Sequence, residues 1–368
     1  MKHSGASIVR VRTATGGYDV HFGFGVLGGL PALLEAHVNA HHYAIISDSN
    51  VARLHAEPLH RQLGDAGLSA TVFPFEAGEA NKTRETWADV TDRMLAAGIG
   101  RDGCVIAVGG GVTGDLAGFV AATYMRGIAL VAVPTSLLAM IDASIGGKTG
   151  VDTSAGKNLI GAFHPPRLVV SDAATLATLP AAEFTAGLAE AVKHGAIADS
   201  QYLAWLEAET PGILGRDPSL LHTLIRRSIE IKADFVADDE REAGRRAALN
   251  FGHTIGHAVE RLTDYRISHG SAISVGMVAE AKLGEAIGWT APGTAQSIER
   301  ALRGFGLETG MPAGITIASL VRATASDKKA AEGRVRYALV ASPGHVAGVG
   351  GEWTHPVSFE QVVSALED

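Results

Sequence analysis

The sequence predicts an α/β N-terminal domain with a parallel, doubly wound sheet, followed by a mostly α-helical C-terminal domain. Up to about Asp172, short β-rich runs alternate with longer amphipathic segments, the pattern of strand–helix–strand units. Beyond that point apolar residues recur at helical spacing with few β-rich runs. The length, 368 residues, exceeds what one compact core serves and suits two domains.

The expected strands are Tyr18–Phe22, Tyr43–Ser47, Ala70–Phe75, Gly103–Val108, Ile128–Val133 and Arg167–Ser171. Val51–Ala66 and Arg84–Ala97 have the length and patterning of crossover helices. The expected C-terminal helices are Ala181–Ala198, Pro218–Ala237, Ala247–Leu262, Ser271–Ile287 and Ala295–Phe305. Val335–Val340 and His345–Val349 read as a hairpin around Ser342-Pro343-Gly344. The boundary falls near residues 172–181, giving domains of 1–176 and 177–368.

A net charge of −8 argues against nucleic acid or an anionic membrane as the main partner. The single cysteine, Cys104, has no partner for an internal disulfide and sits in an apolar run, as a buried structural thiol does. Residues 1–17 lack the apolar stretch of a signal peptide, and Gly127–Met140 is too short to span a bilayer. A cytoplasmic protein is expected.

Gly109-Gly110-Gly111-Val112-Thr113-Gly114-Asp115 follows a buried strand and opens a helix. Glycines there admit a phosphate to the backbone, and the helix N-terminus offers unpaired N–H groups. Asp48 ends its strand, where a carboxylate accepts from a ribose diol or caps the next helix; both readings stay open. Together these features point to a dinucleotide.

His253 and His257 stand four apart and share a helical face, but Thr254 replaces the Glu that a zincin HExxH motif requires. His269 opens the next helical segment, and Glu190 and Lys193 share a face of an earlier one. Two histidines and a carboxylate leave Zn²⁺ an open position, as catalytic sites do. Spacing alone leaves open which of His194, His253, His257 and His269 are ligands. Lys148, Lys157 and Asn158 lie in a Gly-rich stretch expected to be loop, and Lys193, Lys232 and Arg246 fall on expected helices near these histidines. Such cations bind phosphate and carboxylate.

In order, Gly78-Glu79 with Lys82, then 109–127, 133–152, 156–168, 186–195 and 246–260, resemble the 3-dehydroquinate synthase family across most of the chain. The resemblance implies a Rossmann-like N-terminal domain and Zn²⁺ (or Co²⁺) on Glu190, His253 and His269, with His257 released for chemistry. It implies NAD held by Asp48, Glu79, Lys82, Gly111, Gly114, Asp115, Thr135 and Ser136, with Asp142, Lys148 and Lys157 at the same cofactor. Asp142, Lys148, Lys157, Asn158, Lys193, Lys232, Arg246, Asn250 and His257 would surround a small anionic sugar phosphate. Of these, Lys148, Glu190, Lys193, Lys232, Arg246, Asn250 and His257 would take part in catalysis. Arg126 matches a family arginine that reaches a neighbouring subunit, so a homodimer is implied. Arg336, after Asp327-Lys328-Lys329, stands where some members have a phosphate-facing lysine, which alters the hydrogen-bond geometry.

The implied reaction converts 3-deoxy-D-arabino-heptulosonate 7-phosphate to 3-dehydroquinate and phosphate. It proceeds by transient oxidation, phosphate β-elimination, re-reduction, ring opening and aldol closure, with no net redox change. The rivals are a cyclase forming a valiolone or an inosose, a glycerol-dehydrogenase-like oxidoreductase and an inactive homologue. The first departs from Gly146–Gly150 and Asn158–His164, which this chain keeps. The second needs no phosphate-binding cluster, and the third needs no complete metal and cation set.

Overall fold

The computed structural model describes residues 6–14, 16–325, 334–348 and 350–367; Asp327-Lys328-Lys329 and Val349 lie outside them. The chain forms two compact units, Met1–Pro180 with Leu221–Ala237, and Ala181–Leu220 with Asp238–Asp368. The break expected after residue 176 therefore leaves out one feature, since Leu221–Ala237 belongs with the first unit.

The first unit carries β1 (Ser7–Val11), β2 (Tyr18–Gly23), β3 (Tyr43–Asp48), β4 (Ala70–Phe75), β5 (Cys104–Gly109), β6 (Ala129–Pro134), β7 (Lys148–Thr153), β8 (Gly156–Phe163) and β9 (Leu168–Asp172). Seven of these strands form one sheet in the order β1-β2-β9-β6-β5-β3-β4. All its pairs are parallel except β1 with β2. Its inner strands are apolar on both faces because helices cover both. Ala44, Ile46, Val105 and Ala107 pack on one side with Val90 and Met94 of α3 (Arg84–Ala96) and Leu116 and Val120 of α4 (Gly111–Thr123). Ile45, Cys104, Ile106 and Val108 pack on the other with Leu30 and Leu34 of α1 (Leu30–His37) and Leu59 and Leu63 of α2 (Glu57–Asp65). Cys104 is thus buried, and burial pushes its thiol pKa well up.

Chain order steps from β3 to β4 on one side and from β5 to β6 on the other. The sheet therefore reverses direction between β3 and β5, where ligands gather beyond the strands' carboxyl ends. Two corrections follow. The Gly-rich stretch holding Lys148, Lys157 and Asn158 is not a loop but the antiparallel ribbon β7–β8, whose Gly150 and Gly161 lie directly opposite. Edge strand β1 lies outside the expected strands, because Ser7–Val11 is short and its adjacent Ile8 and Val9 break the apolar–polar alternation that marks a half-buried strand.

The second unit contains α5 (Ala181–Ala198); α6 (Pro218–Asp238) follows and lies mostly in the first unit. Next come α7 (His253–Leu262), α8 (His269–Ala286), α9 (Thr294–Gly304), α10 (Ile317–Ala325) and α11 (Phe359–Glu367). The helix expected over 247–262 is interrupted: Arg245–Asn250 is a 3-10 turn, and Gly252 at φ 80 breaks the path before α7. The expected hairpin is shorter than read. Val340–Ser342 pairs with His345–Val346, whereas Arg334–Tyr337 pairs with His355–Ser358. No helix among the described residues is long and apolar enough to cross a membrane.

Candidate active site

In the second unit the chemistry gathers where α5, α7 and α8 meet. Ser268 caps α8, its hydroxyl accepting from Ser271 N at 3.2 Å, so His269 falls in the first turn. The adjoining Gly270 presses on the Ala186 backbone so closely that a Cβ would collide with the Ala186 carbonyl. Ala186 stands one helical turn before Glu190 on α5, so that approach brings the first turn of α8, with His269, to the Glu190 carboxylate. On α7, His253, His257 and Glu260 share a face at i, i+4 and i+7. The N-terminus of α7 is held by the buried carboxylate of Glu280, which accepts from Gly252 N at 2.7 Å and Ile255 N at 2.9 Å.

His253 Nε2 and His269 Nε2 each lie 3.7 Å from Glu190 Oε1. A tetrahedral Zn²⁺ with bonds of about 2.1 Å separates its ligand atoms by about 3.4 Å, so this set needs little adjustment. The opposite ring nitrogens are braced, His253 Nδ1 by Phe251 O at 3.2 Å and His269 Nδ1 by Glu260 Oε1 at 3.3 Å. Such backing leaves each Nε2 lone pair facing Glu190, the arrangement of metal-ligating histidines. His257, Glu260 and His269 form a second close trio, but His257 Nε2 stands 4.0 Å from Glu260, and Glu260 is already behind His269. Of the histidines that spacing left open, His253 and His269 are the two brought to Glu190, with His257 beside them and 44% exposed. His194 is fully buried within α5.

The electrostatics favour positive charge here. Burial opposes protonation of His269, yet hydrogen bonds to Glu190 and Glu260 outweigh it and lift its pKa to about 9. His253 goes the other way, pushed well down by burial and then by the Lys193 ammonium. Lys193 pairs directly with Glu190, both side chains being almost wholly buried. Arg246 is 1% exposed and donates to Glu240 O at 2.5 Å, while Asn250 Nδ2 donates to Glu242 Oε1 at 2.7 Å. Arg336 stays with its own neighbours, donating to Thr354 Oγ1 at 2.8 Å and Glu352 Oε2 at 2.7 Å.

In the first unit, the Gly-rich turn opens α4 with Gly110 at the N-cap and no side chain capping it. Gly109, Gly110, Gly111 and Gly114 line a pocket of about 440 Å³ together with Ser144 and Lys148. A Cβ on Gly114 would meet nothing within 4 Å, so the turn presents open backbone. These features fit the phosphates of a dinucleotide. Asp48, at the end of β3, takes the capping role: Oδ1 accepts from Asn50 N and Val51 N, and Oδ2 from Thr113 Oγ1 at 3.1 Å. Thr135 N donates to Gly109 O, and Ser136 Oγ accepts from Ala139 N.

Beside the pocket lies an ionic cluster. Lys82 Nζ is 2.9 Å from Glu79, 3.3 Å from Asp115 and 3.5 Å from Asp152, and Lys157 Nζ is 3.4 Å from the same Glu79 oxygen. Burial works against the Lys82 charge, but its carboxylates hold its pKa above the ordinary lysine range. Burial raises Asp115 to about 6 despite Lys82. Lys232 Nζ donates to Asp142 Oδ1 at 2.6 Å. Asn158, at φ 54, donates its N–H to Asp152 Oδ1 at 2.8 Å. Lys148 is exposed on β7, and Arg126 is exposed at φ 71 beyond α4.

Four carboxylates escaped the sequence reading. Asp152 lies in the Gly-rich run expected to be loop and carries no local signal, whereas Glu260 has a usable one in its i+3 and i+7 spacing from the two histidines. Glu242 and Glu280 act from outside any motif. Glu260→Gln is expected to lower metal affinity about 10–100-fold while the fold persists, the usual cost of losing a partner behind a ligating histidine; competition with a chromophoric chelator measures it.

Two family models match the chain, 3-dehydroquinate synthase N-terminal over residues 72–186 and 3-dehydroquinate synthase C-terminal over 187–330. A 3-dehydroquinate synthase from Xylella fastidiosa is 44% identical over 340 residues, 90% of this chain and 92% of that protein. One from Symbiobacterium thermophilum is 43% identical over 331 residues, 89% of this chain and 92% of that one. Among solved structures, 2-deoxy-scyllo-inosose synthase with carbaglucose-6-phosphate, NAD⁺ and Co²⁺ superposes at TM-score 0.89 and 28% identity, over 98% of this chain and 99% of the other. The 2-epi-5-epi-valiolone synthase of Streptomyces hygroscopicus with NAD⁺ and Zn²⁺ gives 0.84 at 28% identity, over 95% and 96%.

Proposed function

The chain belongs to the 3-dehydroquinate synthase family, and from that premise we propose how its residues carry out that lyase reaction of the shikimate pathway. The substrate is 3-deoxy-D-arabino-heptulosonate 7-phosphate; the products are 3-dehydroquinate and phosphate. The observation that carries the reading is the braced trio Glu190–His253–His269 with the cations Lys193 and Arg246 in the same unit.

When bound, a divalent metal supplies a Lewis acid for a substrate hydroxyl, and NAD supplies a hydride acceptor that is regenerated within the cycle. Glu190, His253 and His269 would hold the metal, with Glu260 and Phe251 O fixing the imidazole orientations. The pocket glycines and Lys148 would hold the dinucleotide phosphates, with Asp48, Glu79, Lys82, Asp115, Thr135 and Ser136 around them. Lys148, Lys157, Asn158, Lys193, Lys232, Arg246 and Asn250 would bind the substrate's phosphate and carboxylate, orienting it for elimination. Lys193, paired with Glu190, and Lys232, paired with Asp142, would act as positioning cations rather than bases. His257, exposed at the cluster's rim, is the side chain suited to move a proton. Arg336, which donates to Thr354 and Glu352, would reach a substrate phosphate only by exchanging those contacts.

A cytoplasmic homodimer completes the reading. Arg126 is exposed, and Leu159, Ile160 and Phe163 of β8 are 37%, 37% and 46% exposed, as an interface requires.

With catalytic NAD⁺ and Zn²⁺, the purified protein is expected to release one phosphate per heptulosonate phosphate consumed. Net NADH accumulation, or turnover of sedoheptulose 7-phosphate in its place, would overturn the assignment.

A further inference from the structure

Far from the chemistry along the chain, β2 and α1 bring together two histidines and a carboxylate. Asp19 and His21 are two apart on β2, so both side chains leave the same face of the strand. His37 is the last residue of α1, where unpaired carbonyls at the helix C-terminus favour a cation. The rings of His21 and His37 meet edge to face at 5.8 Å. One ligand atom of each of the three residues lies within 4.8 Å of the others.

A second, independent observation points to a ligand. His21 is only 8% exposed, yet its Nε2 has no hydrogen-bond partner. Buried ring nitrogens are nearly always satisfied, since an unmet one forfeits its hydration for nothing. Asp19 Oδ1 accepts from Arg10 at 3.0 Å, but Arg10 is 52% exposed and can turn to water when a cation arrives.

We infer that Asp19, His21 and His37 form a second metal site, selective for divalent transition ions such as Zn²⁺ or Ni²⁺. Two imidazoles and one carboxylate suit those ions, whereas Mg²⁺ and Ca²⁺ prefer oxygen. Water completes the coordination, because one side of the cluster is exposed at His37. Such an ion ties the end of α1 to β2 and so strengthens the first unit. It touches none of the residues given a role in the reaction.

The test counts zinc per chain on the full-length, untagged protein after equilibration with Zn²⁺ and gel filtration, beside His37→Ala and Asp19→Asn. The wild type is expected to retain one equivalent more than either variant, and Zn²⁺ to raise its melting temperature more than theirs. Equal stoichiometry in wild type and His37→Ala, or the extra equivalent surviving in Asp19→Asn, overturns the site. Mg²⁺ in place of Zn²⁺ is expected to erase the difference; a retained difference overturns the assigned ion class. The readout is the difference between proteins, so a failure at Glu190–His253–His269 lowers every total and leaves it intact.

Discussion

His269→Ala is expected to release the active-site metal and lower kcat/KM by about 10³ or more, while the protein keeps its fold. A Lewis acid at a reacting oxygen contributes several kcal/mol, and each 1.4 kcal/mol is tenfold in rate. The side chain is 35% exposed, so its removal leaves no sealed cavity in the core. Its loss also strands Glu260, which now braces the imidazole from behind at 3.3 Å. The fall in metal affinity should therefore exceed the roughly 10–100-fold cost of Glu260→Gln, where the ligand itself remains. Metal content and circular dichroism separate this outcome from unfolding. His257→Ala is the companion: 44% exposed and placed beside the trio, it should retain metal and lose turnover. Full metal occupancy in His269→Ala would break the ligand assignment, and metal loss in His257→Ala would move it to the trio His257–Glu260–His269.

Comparison of sequence and structure shows where local chemistry suffices. The inner strands were legible because a parallel sheet covered on both faces demands continuous apolar runs such as Cys104–Gly109. Glycine breaks were read less well. Nothing local in Leu249–Gly252 marks the left-handed Gly252 that ends one helical turn before α7 begins. Local sequence does not mark the β7–β8 ribbon, because its strands are held by pairing, with Lys148 opposite Phe163, rather than by apolar alternation. The metal trio shows the same limit. His253 and His257 stood out by spacing, but the choice of His269 over His257 depends on α8 packing against α5 through Gly270, a contact over long sequence separation. The resemblance to a family implies that choice; His253 and His269 each lie 3.7 Å from Glu190, and the His269→Ala variant tests it. Asp48 shows the converse: both readings were open, and the structure engages both its oxygens in caps and a threonine.

The largest stability effect is expected from Lys82→Met. Lys82 is 3% exposed and lies within 3.5 Å of Glu79, Asp115 and Asp152. Removing one partner of a buried ionic cluster typically costs about 3–5 kcal/mol, because the remaining charges stay desolvated without compensation. The pH dependence has a definite sign. In the wild type the Lys82 pKa is raised, so its stabilising charge is fully present below the ordinary lysine value and is lost only as pH climbs through the folded one. Asp115, raised to about 6 chiefly by burial, already costs stability as pH rises from the ordinary carboxylate range toward 6. Without the ammonium, Asp115 and Asp152, already raised by burial, shift further up. Glu79, whose burial is outweighed by Lys82 and Lys157 so that it sits below the ordinary range, loses part of that depression. The folded chain then holds protons that the unfolded chain has released. The gap between wild type and Lys82→Met should therefore widen from pH 5 to pH 8, as urea unfolding without cofactor would measure. Adding Asp115→Asn should recover part of the loss, since one uncompensated charge is removed and the two sites are coupled. A gap that is constant or narrower at pH 8 would mean that Lys82 stabilises the unit by packing its methylene chain rather than by neutralising the cluster.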